Sequence, residues 1–365
     1  MSLKCGIVGL PNVGKSTLFN AISTGKALAA NYPFATKEPN VGMIIVPDVR
    51  LDKLAELIQP KNVLPTTVEI VDIAGLIKGA SKGEGLGNQF LGNIRETDAI
   101  IHVVRCFDDG NIVHVDGSID PVRDKEVIDF ELQLKDLDTI EKALQKAQKN
   151  AKSNEKSAVK AVAVFQRLKD EVEAGKSVRQ VEIDDMDLPI VKELNLLTIK
   201  PVLYVCNVDE NSAKEGNAYV ELIKEAVKDE GAEVMIICAG IEEDISDLED
   251  VEERKEFLAE MGLEQSGTEM LIQKAYRLLN LITYFTAGEK EVRAWTVREG
   301  SKAPQAAGVI HTDFEKGFIR AEVIKYDDYV EYGSESAIKV AGKMNVEGKE
   351  YVVLDGDIMH FRFNV

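Results

Sequence analysis

Short apolar, strand-like runs recur near residues 3–9, 41–46, 67–72, 99–105, 201–206 and 234–238, and segments of helical pattern separate most of them. Strands alternating with helices predict a doubly wound α/β domain with a largely parallel sheet. The alternation breaks between about 125 and 197. There Val127, Phe130, Leu134, Leu137, Leu144, Ala147 and Ala151 follow a three/four spacing, and Ala158, Ala161, Phe165, Leu168 and Val172 repeat it after the polar stretch QKNAKSNEKS. That pattern predicts two long helices folded into an antiparallel hairpin inserted in the α/β domain. From about 281 the chain turns β-rich, with runs at 291–297, 317–324 and 350–354 and turn glycines at 300, 317, 333 and 348. About 85 residues suffice for a small α+β domain. The expected organisation is 1–124 with 198–280 as one domain, 125–197 as its inserted arm, and 281–365 as a C-terminal domain.

The first run, KCGIVG, passes at once into Gly9-Leu10-Pro11-Asn12-Val13-Gly14-Lys15-Ser16. GxxxxGK[ST] between a strand and a helix is a phosphate loop. Gly9 and Gly14 admit backbone turns that aim amides at one cluster of anionic oxygens. The helix that follows adds the positive end of its dipole. Lys15 is expected on the β- and γ-phosphates, and the Ser16 hydroxyl on Mg2+. The loop residues Pro11, Asn12, Val13, Gly14, Lys15, Ser16 and Thr17 form the core of the expected triphosphate site.

Composition narrows the surroundings of that site. A chain of 365 residues with 45% hydrophobic residues can build two or three cores. No apolar stretch approaches the roughly 20 residues of a membrane span, and the N-terminus enters a strand directly, so neither a membrane partner nor a signal peptide is expected. Cys5, Cys106, Cys206 and Cys238 each sit in or at the end of an apolar run without metal-ligand spacing, as reduced, buried thiols of a cytoplasmic protein would. The net charge of −19 argues against a whole-surface nucleic-acid binder, and no DNA sequence specificity is expected. It leaves room for a local basic patch. Lys142, Lys146, Lys149, Lys152, Lys156 and Lys160 face one acid, Glu155, and read equally as a binding patch or as a solvated helical face.

Further motifs follow in the order a phosphate-loop hydrolase requires. Asp72-Ile73-Ala74-Gly75 closes the strand VEIVD; Asp72 is expected to hold Mg2+ through its shell, and the Gly75 N–H to sense the γ-phosphate. Thr36, in NYPFATKEPNVG, occupies the position where a Thr completes Mg2+ coordination, or is an exposed loop residue. The glycines of 78–92 predict a mobile switch. Ras-like enzymes place a water-orienting Gln directly after DxxG; here the residue is Leu76, which cannot hydrogen-bond water. His114, in the loop FDDGNIVHVDGSID, is a candidate for that task, or an ordinary surface residue of its loop. His102, inside a strand pattern, reads as core.

The base-reading element follows the strand VLYVC. Where guanine-specific enzymes have NKxD, this chain has Asn207-Val208-Asp209-Glu210. Glu210 is one methylene too long for the guanine clamp, while an Asn pairs well with purine N6 and N7. The residues predict ATP over GTP, with Asn207 and Val208 in the site. Ala239-Gly240 stands where SAK is usual, so that motif is degenerate.

Together, GLPNVGKST, NYPFATKEPNVG, DIAGLIKGAS, NVDE, the inserted hairpin and the β-rich C-terminal region resemble the YchF family of Obg-like ATPases along essentially the whole chain. The resemblance implies a P-loop NTPase domain of the Obg class of the TRAFAC lineage, a coiled-coil arm and a TGS domain of β-grasp type. It implies ATP hydrolysis in preference to GTP, a hydrophobic residue at Leu76 in place of the Gln, and His114 as the catalytic histidine beside Lys15. It further implies K+ dependence through Asn12, binding to the ribosome through its large subunit, and an RNA surface in a basic cleft. The expected function is an ATP-hydrolysing regulatory switch on the ribosome. The alternatives are a GTPase, or a ribosome- or RNA-binding module in which the nucleotide is only a conformational ligand.

Overall fold

The computed structural model describes residues 3–24, 40–73, 86–110, 112, 114, 117–152, 156–248 and 250–364. The expectations for Thr36, Gly75 and Leu76 lie outside these residues. The strands, in chain order, are β1 (Lys4–Val8), β2 (Val41–Ile45), β3 (Asn62–Leu64), β4 (Thr67–Asp72), β5 (Ala99–Arg105), β6 (Val202–Asn207), β7 (Glu233–Ile237), β8 (Leu281–Ala287), β9 (Glu291–Arg298), β10 (Phe318–Ile324), β11 (Asn345–Glu347) and β12 (Ile358–Phe363). They form two six-stranded sheets, ordered β2-β4-β1-β5-β6-β7 and β11-β10-β12-β8-β9-β3. The chain divides into two compact units, Met1–Gly42 with Glu69–Leu271, and Met43–Val68 with Ile272–Val365.

In the first unit β4, β1, β5, β6 and β7 run parallel. β5 and β6 are buried along their whole length, as the middle of a two-faced α/β layer requires. The helices of this unit are α1 (Lys15–Thr24), α3 (Leu86–Arg95), α4 (Pro121–Ala151), α5 (Lys156–Glu173), α6 (Leu188–Lys192), α7 (Ala218–Val227), α8 (Ala239–Asp247) and α9 (Val251–Glu260). α10 (Gly267–Leu278) runs across the boundary at Leu271. Successive connections leave β1 towards β4 on one side and β5 on the other, so the β1 and β5 loops open at the switch point where ligands sit in such sheets.

The hairpin predicted between 125 and 197 is present as α4 and α5. Asp120 caps α4 by accepting from Arg123 N, with Pro121 in the first turn. At 1.5 Å per residue its 31 residues extend about 46 Å. Ile140, Leu144, Val164, Phe165, Leu168 and Val172 form its dry seam. Its base is tied down by polar groups. Fully buried Asp136 accepts from Leu197 N, Thr198 N and Thr198 Oγ1, each at 2.7 Å. Lys125 Nζ lies 2.7 Å from Asp129 and 2.6 Å from Glu230, and Glu230 also accepts from Arg179 (3.0 Å) and Tyr204 Oη (2.8 Å). Burial alone would pull the Lys125 ammonium down, but Asp129 and Glu230 outweigh it and hold the group above its ordinary value.

The second unit pairs β8 with β9 as an antiparallel hairpin and brings β12 back parallel to β8, the pattern of a β-grasp. α11 (Ala303–Ile310) packs Ala303, Ala306 and Ala307 against Tyr284, Phe318 and Met359, and α12 (Thr312–Lys316) follows it. A separate core joins Phe285, Val292 and Ile358 to α2 (Val49–Ile58), α13 (Tyr326–Tyr332) and α14 (Glu335–Val340) through Leu51, Leu54, Tyr329 and Ile338. Within 43–68, β3 pairs parallel to β9 and α2 packs in the second core, while β2 and β4 at the two ends of that span are strands of the first sheet. The run at 350–354 makes only a single bridge, Val352 with Lys302; the last strand is β12.

Candidate nucleotide site

The five parallel strands of the first sheet deliver their C-terminal ends to one edge, and three of them, β1, β4 and β6, carry the candidate chemistry. After β1 the chain turns over residues 9–14 and enters α1 at Lys15. A Cβ on Gly9 would stand 2.8 Å from the Val103 carbonyl oxygen, and one on Gly14, whose φ is +90°, would collide with Asn207 Nδ2. Both positions therefore require glycine. Asn12 also takes the left-handed region, φ 64°. Leu18 N donates to Gly14 O (3.0 Å), so the helix begins inside the loop and its first amides face outward from the turn. Pro11, Asn12 and Ser16 are exposed, Thr17 is half-buried, and Val13 and Lys15 are buried.

Lys15 Nζ is ion-paired with Asp72 Oδ1 at the end of β4. β1 and β4 are adjacent, with Ile7 level with Asp72, which is how residues far apart in sequence meet. The pair joins the cation expected on the phosphates to the carboxylate expected at Mg2+. Mg2+ suits this donor set: it takes few protein oxygens and completes its octahedron with phosphate and water. The Ser16 hydroxyl and the Asp72 carboxylate are oxygen donors of that kind. Among the described residues there is no cluster of three or more His, Cys, Asp or Glu that would instead suit a soft or caged metal.

Asn207 ends β6 and is almost wholly buried. Its Nδ2 donates to Val13 O and its Oδ1 accepts from Ala239 N, both at 2.9 Å. The sequence expectation put this amide on purine N6 and N7. In the structure the same amide links the phosphate loop to the start of α8. Val208 is buried and its N–H goes to Ile237 O (2.8 Å). Asp209 turns onto Ser212, accepting from its N and Oγ, while Glu210 is exposed.

His114 is buried, and its Nε2 lies 2.7 Å from Asp124 Oδ2 in the first turn of α4. The other oxygen, Oδ1, accepts from Arg123 Nε (3.2 Å) and Nη2 (2.9 Å), and the same guanidinium reaches Ser118. The loop is shaped from within by Arg105, whose guanidinium donates to the carbonyls of Phe107, Asp109 and Ile112. Sequence reading missed both Asp124 and Arg105. An acid in a first helical turn is so common a response to the dipole that it carries no signal, and an Arg ending a strand carries no more. His102 is the core residue expected: burial lowers it to about 4. All four cysteines are buried and none is in a disulfide. Of the lysine patch, Lys142 pairs with Asp138 and Lys160 with Asp187, while Lys146, Lys149 and Lys152 are exposed.

Residues 4–146 match a family described as 50S ribosome-binding GTPase, and residues 281–364 match the YchF-GTPase C-terminal family, described as a protein of unknown function (DUF933). A protein of Haemophilus ducreyi named ribosome-binding ATPase YchF is 57% identical over 365 residues, covering all of both chains. One of the same name from Bacillus subtilis is 54% identical over 367 residues, again at full coverage. The solved structure of the Schizosaccharomyces pombe YchF GTPase matches with a TM-score of 0.90 and 41% identity over 99% of this chain and 98% of that one. A GTP binding protein from Pyrococcus horikoshii, 20% identical with a TM-score of 0.62 over 99% of this chain and all of its own, shares the fold.

Proposed function

The chain belongs to the YchF family, and on that footing we propose that it binds and hydrolyses ATP with Mg2+ and works as a conformational switch on the ribosome. Ribosome binding and ATPase activity are the named properties of its full-length relatives. The choice of base rests on one observation. At the position where a guanine clamp needs a short, inward carboxylate, the chain carries exposed Glu210, and Asp209 is engaged with Ser212. A guanine would find no paired acceptor for its N1–H and N2–H2.

In this reading the residues divide the work as follows. The amides of 11–17 cradle the phosphates. Lys15 would leave Asp72 for the β- and γ-phosphates, and the Ser16 hydroxyl, Thr36 and, through water, the Asp72 carboxylate would hold Mg2+. Mg2+ when bound neutralises charge on the phosphate oxygens. His114 orients the attacking water, since Leu76 cannot. Thr36 and Gly75 report the γ-phosphate, Val208 lines the base side, and Asn12 offers its side-chain oxygen to K+. Asn207 acts through the loop rather than on the base. Nucleotide handling falls to 1–124 with 198–280, the arm is 125–197 and the TGS domain 281–365, and the partner is the large ribosomal subunit with its RNA, in the cytoplasm. No helix among the described residues is long and apolar enough to cross a membrane.

A second reading, GTP hydrolysis, draws on the words GTPase in the S. pombe description and in the family matched by 4–146. Calorimetric affinities for ATP and GTP, in Mg2+ with K+ and then with Na+, decide between them. Tighter ATP binding is expected. Tighter GTP binding would overturn the argument from Glu210, and turnover unchanged in Na+ would remove K+. If ATP binds but no turnover occurs with or without ribosomes, the nucleotide is a conformational ligand only.

A further inference from the structure

His114 is reached from the arm helix. Asp124 Oδ2 and His114 Nε2 are 2.7 Å apart with both side chains buried, so a hydrogen on Nε2 is held by a carboxylate in a water-poor site. That carboxylate is itself fixed. Arg123 holds its Oδ1 with two donors and clamps Ser118 with two more. The next residue, Lys125, is locked between Asp129 and Glu230, and Arg179 and Tyr204 close the cluster. The first turn of α4 is therefore pinned on one side to the β6 and 230 region and presents Asp124 to the histidine on the other.

We propose that Asp124 is the positioning residue of the site: from the base of the arm it sets the orientation of the His114 ring and keeps the ring hydrogen on Nε2. The inference rests on the reading that His114 handles the attacking water, and it names what makes that ring competent. A carboxylate that fixes the tautomer of a catalytic imidazole is a recurrent device, and replacing it by the isosteric amide acts through the wrong tautomer rather than through lost packing. Here the effect of Asp124→Asn has a definite direction. Arg123 supplies only donors, so it retains the amide oxygen at the Oδ1 position and turns the amide NH2 towards His114 Nε2. Nε2 must then accept, and the hydrogen moves to Nδ1.

The test combines 15N-histidine NMR with turnover. In the parent protein, the His114 ring should show a slowly exchanging Nε2–H resonance. Asp124→Asn should exchange the roles of the two ring nitrogens, lower kcat for ATP at least about tenfold, and leave KM within about twofold. In a His114→Ala background it should add nothing. Arg123→Gln, at a partly exposed position, keeps the carboxylate but releases its clamp and should reproduce a smaller part of both effects. Unchanged His114 ring signals in Asp124→Asn would overturn the proposal, as would a full further loss of kcat in the His114→Ala background. If His114→Ala itself turns over at the parent rate, the reading of His114 as the water-handling group fails, while the ring signals still decide whether Asp124 positions it.

Discussion

Replacing Asn207 by Ala separates two roles that the same side chain could have. The side chain bridges the Val13 carbonyl and the Ala239 amide at 2.9 Å on each side, in a site almost closed to solvent. Truncation leaves both backbone groups buried without that partner, at about 1–3 kcal/mol apiece. The free loop relieves the strain by relaxing, with Val13 turning its carbonyl away from α8. Nucleotide must then reorganise the loop before its amides converge on phosphate. If half of the lower bound of about 2 kcal/mol falls on binding, and relaxation takes the rest, Kd rises by about fivefold; the full bound gives about thirtyfold. The decisive feature is the pattern across bases. A brace weakens ATP, GTP and ITP by the same factor, because it acts on the phosphates they share. A base-reading amide weakens ATP more than ITP or GTP, because only adenine offers the N6 contact that is lost. Calorimetry with the three triphosphates measures this directly. Selective loss of ATP, or affinities within a factor of two of the parent for all three, would refute the bracing role.

Three further outcomes follow from the same geometry. Gly14→Ala forces a Cβ into Asn207 Nδ2 at a φ of +90°, so triphosphate binding by calorimetry should fall at least about tenfold, more than for a Gly→Ala change in an open turn. His102 lies at about 4 against 6.5 in the unfolded chain, so between these values the unfolded state binds the proton first and stability falls as pH drops from 6.5 to 4. The full effect is about 3 kcal/mol, and urea melts of His102→Phe at pH 7, 5 and 4 should show an acid limb shallower than the parent's by that amount. Glu230→Gln removes one charge from the Lys125–Asp129–Arg179 cluster, whose side chains are at most 11% exposed. Losing a buried partner of this kind typically takes about 3–5 kcal/mol, read as a lowered urea midpoint with the far-UV spectrum at low denaturant unchanged.

The parts of this molecule that were legible from sequence are those whose signal is local. The phosphate loop announces itself because glycine, lysine and serine must occur at fixed spacing around one ligand, and each parallel strand is apolar enough to stand out alone. What stayed hidden depends on partners distant in the chain. β3 has three residues, two of them exposed, and becomes a strand only by lying against β9. β12 alternates Met359 and Phe361 with His360 and Arg362, so its strand character is diluted by polar residues. The more continuous run near 350–354 attracts the assignment and makes only one bridge. The insertion of α2 into the C-terminal core is likewise invisible, since an amphipathic helix between two nucleotide-domain strands reads as that domain's own.

The candidate site divides along the same line. Lys15, Ser16 and Asp72 are named by motif, and the structure adds only their present pairing. Asn207 is named by motif too, and the structure adds what the motif does not record, the link it makes from the phosphate loop to the start of α8. Asp124 carries no motif at all. It acquires a role only because the chain returns from β5 through a loop folded around the Arg105 guanidinium, so that His114 meets the first turn of α4. The turn that holds the histidine is also the root of the arm, with Asp124 facing the loop and Lys125 facing the sheet one residue later. Any displacement of the arm that loosens the Lys125–Glu230 contact therefore acts on the same turn that carries Asp124, and a loss of kcat in Glu230→Gln larger than its loss of affinity for ATP would be the kinetic mark of that shared root.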